Sequence, residues 1–535
     1  MIRIFFILLI FSLFSCAKIG APTGGDFDRI PPKMVKSTPE DNSINFTGKS
    51  IEIQFDEYIE LKNTSEELLI SPPLASKPKI SSNLNRLKVE WEDTLKENTT
   101  YIFDFGTSIV DYNEGNPIRN FSLGFSTGST IDTFYYSSKV VDAYTLKPIV
   151  RKNVMLYKLK DNIDVKTQKP DYITRTDSSG NFLFKNIANS EYKILAHQDN
   201  NQNFLFDLPN ESFGFLSENI NSVNALSDTI KTDNIIYFNT ISDEVKELKS
   251  KTLSSNHRLD LVFTKPLDDS LYIQFSYPEI KSLDDANLYY KLSAKRDSLS
   301  LFSLKYSFDS VKLKVGDREI KEEIELEYVK KKDEKNSFAI KKPKEIHPYY
   351  AELLLELPFP LFDSNSFNII AISNEDTINT IAKVSNDNPL NLKIDLSLTQ
   401  QSEYKFIIPQ GIILNSLSQT NDSLVFTIKT NSQKDYGNFL IKINDSINID
   451  KSIILELEDS NNKLIREMIG KISDKFEFKY LEKGDYKLKI IYDENSNGKW
   501  DRGDFFQNKL PEKVIYFPKG INIIENWDIE EEWRL

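Results

Sequence analysis

The sequence predicts an all-β protein made of tandem antiparallel β-sandwiches in an elongated array. Apolar and polar residues alternate with period two in short runs such as 50–61 and 86–92, and Pro, Asn, Gly and Asp separate these runs. The length of 535 residues exceeds what one hydrophobic core serves, which indicates several domains of about 100 residues each. The 35 Phe and 24 Tyr favour packed pleated surfaces, because their large side chains bury well against a sheet.

Composition argues against several classes of function. With 67 Lys and Arg against 80 Asp and Glu, the formal net charge is -13, whereas nucleic-acid binding rests on clustered basic side chains. The three histidines, His197, His257 and His347, do not stand at zinc-ligand spacing, and the sequence contains no phosphate-cradling or dinucleotide-binding glycine motif. We therefore expect no nucleic-acid partner, no catalytic residues and no small-molecule substrate, and we expect that the protein is not an enzyme.

The first 16 residues have the pattern of an export signal. Arg3 supplies a positive charge, and the apolar run 4–13 is too short to span a bilayer. Together with Cys16, the only cysteine, this segment resembles a bacterial lipoprotein signal, although Phe14 is bulkier than the residue usual there. The alternative is an ordinary secretory signal followed by an incidental cysteine. The resemblance implies lipidation of Cys16 and attachment to the outer membrane through this N-terminal lipid anchor.

Residues 17–32 are rich in Gly and Pro and lack periodicity, which predicts a flexible tether. Surface export of lipoproteins in some Gram-negative lineages is linked to acidic residues immediately after the cysteine. Here the acidic residues Asp26 and Asp28 begin ten positions after Cys16, so the sequence departs from that pattern. The periplasmic and the extracellular face therefore both stay open, with the cell surface preferred.

The segment 33–130 carries the first set of alternating strands. Its runs 50–63 and 100–128 resemble the bacterial Ig-like domain found in many surface-layer and envelope proteins. The resemblance implies an antiparallel sandwich in which one face of each sheet is buried.

Two later segments repeat this kind of pattern. We predict Ig-like sandwiches at 250–330, which opens with the run 258–269, and at 345–432, which closes with 404–430. The lysine-rich run 330–344 between them also contains acidic residues, and we interpret it as a solvated linker.

The segments 131–240 and 435–535 contain an internal repeat. Five residues recur at the same spacing in both copies: Phe182, Phe184, Lys185, Tyr192 and Lys193 in the first, and Phe476, Phe478, Lys479, Tyr486 and Lys487 in the second. With Val141, Asp142 and the turn at Gly180, the first copy resembles the transthyretin-like fold of carboxypeptidase regulatory domains. The resemblance implies a small seven-stranded sandwich for each copy.

A loop at 493–504, reading DENSNGKWDRGD, follows the repeat in the second copy. Oxygen-bearing side chains at positions 1, 3, 5, 9 and 12, with Gly498 at position 6, fit the six to eight oxygen ligands of calcium. The loop therefore predicts a calcium site whose ligands are Asp493, Asn495, Asn497, the Lys499 carbonyl, Asp501 and Asp504.

The alternative is a hairpin whose Asn and Asp side chains bond their own backbone. The second loop leaves both readings open. The first copy of the loop, at Asp199, Asn201, Asn203 and Asp207, favours this alternative, because Phe204 stands where glycine is expected.

Adjacent aromatic residues are the remaining candidates for contacts. They occur as three pairs: Tyr135 with Tyr136, Tyr349 with Tyr350, and Phe505 with Phe506. In a strand, neighbouring residues face opposite sides, so one member of each pair faces outward unless another domain covers it. We interpret the pairs as inter-domain packing, with a protein or glycan contact as the alternative.

Taken together, the lipoprotein signal and the sandwiches resemble the multidomain surface lipoproteins of Gram-negative bacteria. The resemblance implies a non-enzymatic outer-membrane lipoprotein that acts as a structural or interaction subunit of an outer-membrane complex, for example a protein-export or β-barrel-assembly machine. An outer-membrane protein is then the expected partner. The alternative is a surface glycan-binding or adhesion lipoprotein.

Overall fold

A computed structural model describes residues 28–160, 163–223, 234–241, 246–277, 287–305, 307–318, 320–329, 337–362, 366–445 and 447–535. The predicted signal, Cys16 and most of the predicted tether lie outside the described residues. Strands account for 49% of the structure and helices for 2%, which confirms the predicted all-β class of tandem β-sandwiches. None of the helices in the described part of the chain has the length and apolar character needed to cross a membrane.

The chain divides into two compact units. The first comprises Met1–Thr240 together with Gly503–Pro511, and the second comprises Ile241–Arg502 together with Glu512–Leu535.

The first unit opens with a sandwich built on strict alternation. Ile51, Ile53 and Phe55 enter a core in which the rings of Trp91 and Phe125 stack 6.3 Å apart. Its elements are β1 (Met34–Thr38), β2 (Ser50–Phe55), β3 (Ile59–Leu61), α1 (Thr64–Glu67), β4 (Leu69–Ser71), β5 (Lys79–Asn83), β6 (Arg86–Glu90), β7 (Thr100–Asp104), β8 (Ile109–Asp111) and β9 (Ser122–Ser126). The strands pair in the orders β1-β2-β6-β5, β4-β7-β9 and β3-β8.

The second sandwich of this unit forms around Val140, Leu156, Phe184 and Tyr192, all buried. Its strands are β10 (Phe134–Asp142), β11 (Asn153–Lys158), β12 (Tyr172–Arg175), β13 (Asn181–Ile187), β14 (Glu191–His197), β15 (Phe213–Phe215), β16 (Ile220–Asn221) and β17 (Ile236–Asn239). They pair in the order β12-β11-β14-β15-β17-β10-β13, and β16 pairs with β14.

The second unit begins with a sandwich whose core includes Leu259, Leu261, Leu299 and Leu313. Its strands are β18 (Leu248–Ser255), β19 (Arg258–Phe263), β20 (Tyr272–Tyr277), β21 (Leu288–Leu292), β22 (Ser298–Ser303), β23 (Ser310–Gly316) and β24 (Lys321–Glu327). The sheets have the orders β18-β19-β22-β21 and β20-β23-β24.

The fourth sandwich starts inside the lysine-rich run, so the interpretation of 330–344 as a solvated linker is wrong for its second half. Phe338 and Ile340 are only 9% and 5% exposed and belong to the sandwich core. Two apolar residues among many charged ones show no alternation, so the sequence pattern does not predict this strand. The strands are β25 (Ser337–Phe338), β26 (Ile346–His347), β27 (Leu354–Glu356), β28 (Ser366–Ser373), β29 (Asp376–Val384), β30 (Asn391–Ile394), β31 (Glu403–Ile408), β32 (Thr420–Asn421) and β33 (Leu424–Thr430). They form a β25-β32 pair and a sheet of order β26-β33-β31-β28-β29-β30-β27.

A short 3-10 helix, Gln433–Asp435, is capped by Ser432 and leads into the fifth sandwich. The strands of this sandwich are β34 (Gly437–Asn444), β35 (Ser452–Asp459), β36 (Leu464–Lys471), β37 (Lys475–Leu481), β38 (Gly484–Tyr492), β39 (Val514–Tyr516), β40 (Ile521–Ile523) and β41 (Asp528–Arg534). The sheets have the orders β37-β34-β41 and β36-β35-β38-β39, and β40 pairs with β38.

The second and the fifth sandwich share one pairing pattern. β10 pairs antiparallel with β13 and parallel with β17, just as β34 pairs with β37 and β41. β11 lies between β12 and β14, just as β35 lies between β36 and β38. The two segments that repeat in sequence therefore also repeat in strand topology.

Candidate functional site

The second Asp/Asn loop follows β38 and is held by its own side chains. The carboxylate of Asp493, which is 3% exposed, accepts the backbone N–H groups of Asn497 at 3.0 Å and Gly498 at 2.9 Å. Gly498 has a φ of 72°, a left-handed conformation that glycine adopts at low cost. A Cβ at this position would lie 3.0 Å from Ile469 Cδ1, so an added side chain would also require the end of that exposed side chain to shift.

Asp501 and Glu512 complete the loop from its other side. The side-chain N–H groups of Asn495 and Asn497 both donate to Asp501 Oδ2, the latter at 3.1 Å. Glu512 is 4% exposed and accepts the backbone N–H groups of Glu494 and Asp501, each at 2.9 Å. Burial raises the pKa of Glu512, while its two backbone donors oppose that rise.

The two remaining predicted calcium ligands are Asp504, which lies in the next turn, and Lys499, which lies in the loop itself. Asp504 exchanges backbone hydrogen bonds with Lys509 at 2.7 and 2.9 Å, and Asp504 Oδ1 accepts two further N–H groups of the same turn. Its carboxylate thus caps a turn within Gly503–Pro511. Lys499 stays in the loop, where its backbone N–H donates to Asn497 Oδ1 at 2.8 Å.

Calcium binding at the second loop stays a prediction. Carboxylate and amide oxygens, such as those of Asp493 and Asp501, are the ligand class that calcium prefers. Both Asn side chains direct N–H groups toward Asp501 here, so calcium coordination requires each amide to turn its oxygen inward. In the part of the chain that the structure describes, no three or more His, Cys, Asp and Glu side chains form a group that fits a metal ion.

The first Asp/Asn loop has the same internal hydrogen bonds. Asp199 accepts the backbone N–H groups of Asn203 at 3.1 Å and Phe204 at 2.8 Å. The side-chain amides of Asn201 and Asn203 donate to Asp207 at 3.2 and 2.9 Å. Phe204 adopts a φ of 61°, close to that of Gly498, although a side chain in this region costs about 1–2 kcal/mol.

Glu211 has the role in this loop that Glu512 has in the other. It accepts the backbone N–H groups of Asp207 at 3.1 Å and Leu208 at 3.0 Å. Its Oε2 also lies 3.2 Å from Nε2 of His197, and both side chains are fully buried. Burial lowers the pKa of His197, and the Glu211 charge opposes this shift. His197 is therefore a buried histidine at the end of β14.

A cleft of about 810 Å³ lies in the first unit beside the first Asp/Asn loop. Residues 64–80 of the first sandwich form one wall, and residues 151–205 of the second sandwich contribute the other. Of the described residues that line it, five are Lys or Arg and two are Asp or Glu. The cleft is thus basic, although the whole chain has 80 acidic against 67 basic residues.

The phenylalanine pair lies in the segment Gly503–Pro511 of the first unit. Phe505 is 6% exposed, and its ring meets the rings of Phe206 and Phe215 edge-on at 5.7 and 5.3 Å. Phe506 is 60% exposed and stacks on Phe206 at 5.6 Å. The pair therefore packs this segment onto the second sandwich.

The tyrosine pairs also pack within their units. Tyr350 stacks on Tyr480 with ring centroids 3.8 Å apart, and Tyr349 meets Tyr480 edge-on at 6.1 Å. Tyr136 is 6% exposed in the core of the second sandwich, while Tyr135 is half-buried. The interpretation as inter-domain packing therefore fits Tyr349 and Tyr350, which contact the next sandwich. It is wrong for Tyr136, which packs inside the core of its own sandwich.

Comparison with known proteins adds a family for the first sandwich. Residues 28–127 match the model of a bacterial Ig-like domain. No curated protein matches the chain significantly.

Similar solved structures include three that cover most of this chain. The major pilin subunit BcpA of Bacillus cereus has 12% identity and a TM-score of 0.14, over 75% of this chain and 99% of that one. The surface layer protein SbsC, domains 1–6, has 11% identity and a TM-score of 0.15, over 93% and 68%. The Bacillus anthracis TIE protein has 10% identity and a TM-score of 0.15, over 96% and 75%. TM-scores of this size carry no functional argument. The family match covers only the first sandwich, which is similar to a bacterial Ig-like domain.

Proposed function

We propose that this chain is a non-enzymatic outer-membrane lipoprotein, anchored through Cys16, that acts as a structural and interaction subunit of an outer-membrane protein complex. The observation that carries the proposal is the way consecutive sandwiches are joined within each unit. Packed joints suit a protein that holds binding surfaces at fixed spacing, whereas free linkers suit independent modules.

The joint in the first unit is a set of polar contacts. Lys169 Nζ donates to the carbonyl oxygens of Leu74 and Ala75, each at 2.9 Å. The backbone N–H of Ile173 donates to Ser71 Oγ at 3.0 Å. These hydrogen bonds join the second sandwich to the first, which supports a rigid joint between the two.

The joints in the second unit are mainly aromatic. Phe302 of the third sandwich meets Phe359 of the fourth edge-on at 5.7 Å. Tyr350 of the fourth stacks on Tyr480 of the fifth, which also meets Tyr436 edge-on at 6.1 Å. Aromatic pairs of this kind contribute about 0.5–1.5 kcal/mol each beyond their buried area.

Membrane fractionation with whole-cell proteolysis tests the anchoring part of the proposal. The full-length chain and a Cys16→Ala variant are compared in the chain's own cells. We expect the unchanged chain in the outer-membrane fraction with a lipidated Cys16, and the variant in the soluble fraction. Equal membrane association of both proteins contradicts the proposal, and protease sensitivity in intact cells distinguishes the extracellular from the periplasmic face.

A further inference from the structure

In the basic cleft of the first unit, the side chains of Arg175 and Lys169 are held by hydrogen bonds to neutral oxygen atoms. Arg175 donates to the carbonyl oxygens of Glu66 and Glu67 and, from Nε, to Asn153 Oδ1 at 3.2 Å. Lys169 Nζ donates to two other backbone carbonyls. The carboxylates of Glu66, Glu67 and Asp104 lie near enough to Arg175 to offset part of its charge. The five Lys and Arg against two Asp and Glu that line the cleft still leave an excess of positive charge.

Two further basic side chains, Arg151 and Lys77, line the cleft. The guanidinium of Arg151 pairs with Glu67, while Lys77 adds an exposed positive charge at the other wall. The carboxylate of Asp199 is already satisfied by two backbone N–H groups of its loop. Burial lowers the pKa of Arg175 and the Arg151 charge adds to this shift, whereas the carboxylates of Glu67, Asp104 and Glu66 oppose it.

The remaining lining offers many neutral polar groups. Eight Asn, Gln, Ser and Thr side chains line the cleft, from Thr64 and Ser65 on one wall to Asn203 on the other. Part of this hydrogen-bonding capacity is already used inside the protein. Asn201 and Asn203 donate to Asp207, Ser76 donates to Asp93, and Asn153 accepts from Arg175. Sugar hydroxyl groups, which are both donors and acceptors, would bond the side chains of Thr64, Ser65 and Gln202 and the remaining capacity of the others. Apolar residues such as Pro73 and Ile80 complete the wall with surface suited to sugar C–H groups.

We propose that this cleft binds an acidic oligosaccharide, with sugar carboxylates on the Arg and Lys side chains and sugar hydroxyls on the amide and hydroxyl side chains. The volume of about 810 Å³ lies within the range of small-ligand sites, about 300–1,000 Å³. Clusters of Arg also recognise acidic peptides, so an acidic peptide is the competing occupant that the experiment below compares directly. The proposal does not depend on the interaction-subunit role.

Calorimetric titration of the full-length chain in detergent tests the proposal with three probes. These are hexagalacturonate, its methyl ester and hexaglutamate. We expect hexagalacturonate to bind and to weaken as salt rises, because salt screens charge interactions beyond about 8 Å at physiological ionic strength. We expect the methyl ester to bind at least about tenfold more weakly, because hydrogen bonds to charged groups are the stronger ones.

A charge-reversal variant locates the site. Lys77→Glu is expected to weaken hexagalacturonate binding by about tenfold or more. The matched control is Lys36→Glu, because Lys36 is also exposed in the first sandwich and does not line the cleft. Hydrogen exchange should show ligand protection in 64–80 and 151–205 of the unchanged chain.

Four results of the probe titrations and the exchange measurement would overturn the proposal. They are no binding of hexagalacturonate, equal binding of its methyl ester, tighter binding of hexaglutamate, and protection outside the cleft. An equal loss of affinity in the Lys36 and Lys77 variants would also contradict it, since binding would then follow total charge alone.

Discussion

Glu211 and Glu512 play the same role in two loops of different length, because each is a buried carboxylate that closes an Asp/Asn loop. Glu211 accepts the backbone N–H groups of Asn200, Asp207 and Leu208 at 3.0–3.3 Å. Glu512 accepts those of Glu494 and Asp501, each at 2.9 Å. In the first loop four positions separate Asp207 from Glu211, and in the second eleven separate Asp501 from Glu512. Most of the additional residues belong to Gly503–Pro511. Both loops therefore have a buried glutamate that accepts backbone N–H groups, although the chain between the last Asp of the loop and this glutamate differs in length.

Replacing Glu512 should open the second loop. Glu512→Ala leaves the part-buried N–H groups of Glu494 and Asp501 without their acceptor, and each bond to a charged group contributes about 1.5–3 kcal/mol. We expect a loss of about 2–4 kcal/mol in local stability, measured as faster amide exchange of 493–501. The control is Glu494→Ala, which removes only an exposed ion pair with Lys451 and should change little. Equal exchange in the two variants contradicts this role.

Phe505 should hold the segment Gly503–Pro511 more firmly than Phe506 does. Phe505→Ala removes a buried ring between Phe206 and Phe215, a change that costs about 3–5 kcal/mol. The exchange rate of the Gly503 amide, which donates to Asn239 Oδ1 at 2.7 Å, should rise by about 100-fold or more.

Phe506→Ala is the matched control for that variant. Phe506 is exposed and contributes a stacked ring and the cation–π contact with Lys166 at 4.4 Å, worth about 1 kcal/mol. The effect on Gly503 exchange should therefore be at least tenfold smaller than for Phe505→Ala. A larger effect from Phe506→Ala than from Phe505→Ala would contradict the prediction that Phe505 is the main anchor of Gly503–Pro511.

Acid should loosen the end of β14 through His197. Its pKa is lowered in the folded protein by burial, so the unfolded state takes up a proton first as the pH falls below about 6.5. Stability is therefore full above that pH and declines below it, until the pH reaches the lowered folded pKa. Amide exchange of β14 between pH 7 and pH 5 measures the decline, after correction for the intrinsic exchange rate.

His197→Ile provides the control for this pH dependence, because Ile491 has the equivalent position in the second copy. The substitution leaves Glu211 without its histidine neighbour, so absolute stability falls. The quantity compared is the slope of stability against pH. An unchanged slope between pH 7 and pH 5 in the variant would exclude His197 as its source.

Calcium binding at the second loop is tested by titration of the metal-free chain. Asp493→Ala removes the carboxylate that accepts the N–H groups of Asn497 and Gly498, and is expected to abolish binding at this loop. Asp485→Ala is a control, because Asp485 lies on β38 and bonds Asn522 instead. Identical melting of the unchanged chain in calcium and in chelator would disprove the site.

The sequence predicts the fold well because alternation is a direct consequence of the pleat. Ile51, Ile53 and Phe55 alternate with exposed or half-buried residues and are all buried. The shared Phe and Tyr spacing likewise predicts the topological repeat. The strand at Ser337–Phe338 escaped prediction because two residues cannot show a period.

The candidate site was less accessible to sequence reasoning. Glu211 and Glu512 lie at different offsets from their loops, so a search at fixed spacing misses them. A shared Leu-Pro pair shortly before each of them, at 208–209 and 510–511, is the signal that aligns the two. The basic cleft combines residues 64–80 with 151–205, and nothing local in either stretch brings them together.

The central claim is that this chain is an interaction subunit of an outer-membrane complex. Affinity purification of the full-length tagged chain from its own membranes in mild detergent, followed by quantitative mass spectrometry, tests it most directly. Cys16→Ala is the matched control. The account predicts one outer-membrane protein in stoichiometric amount with the unchanged chain and its loss with the variant, whereas recovery of the unchanged chain alone would contradict it.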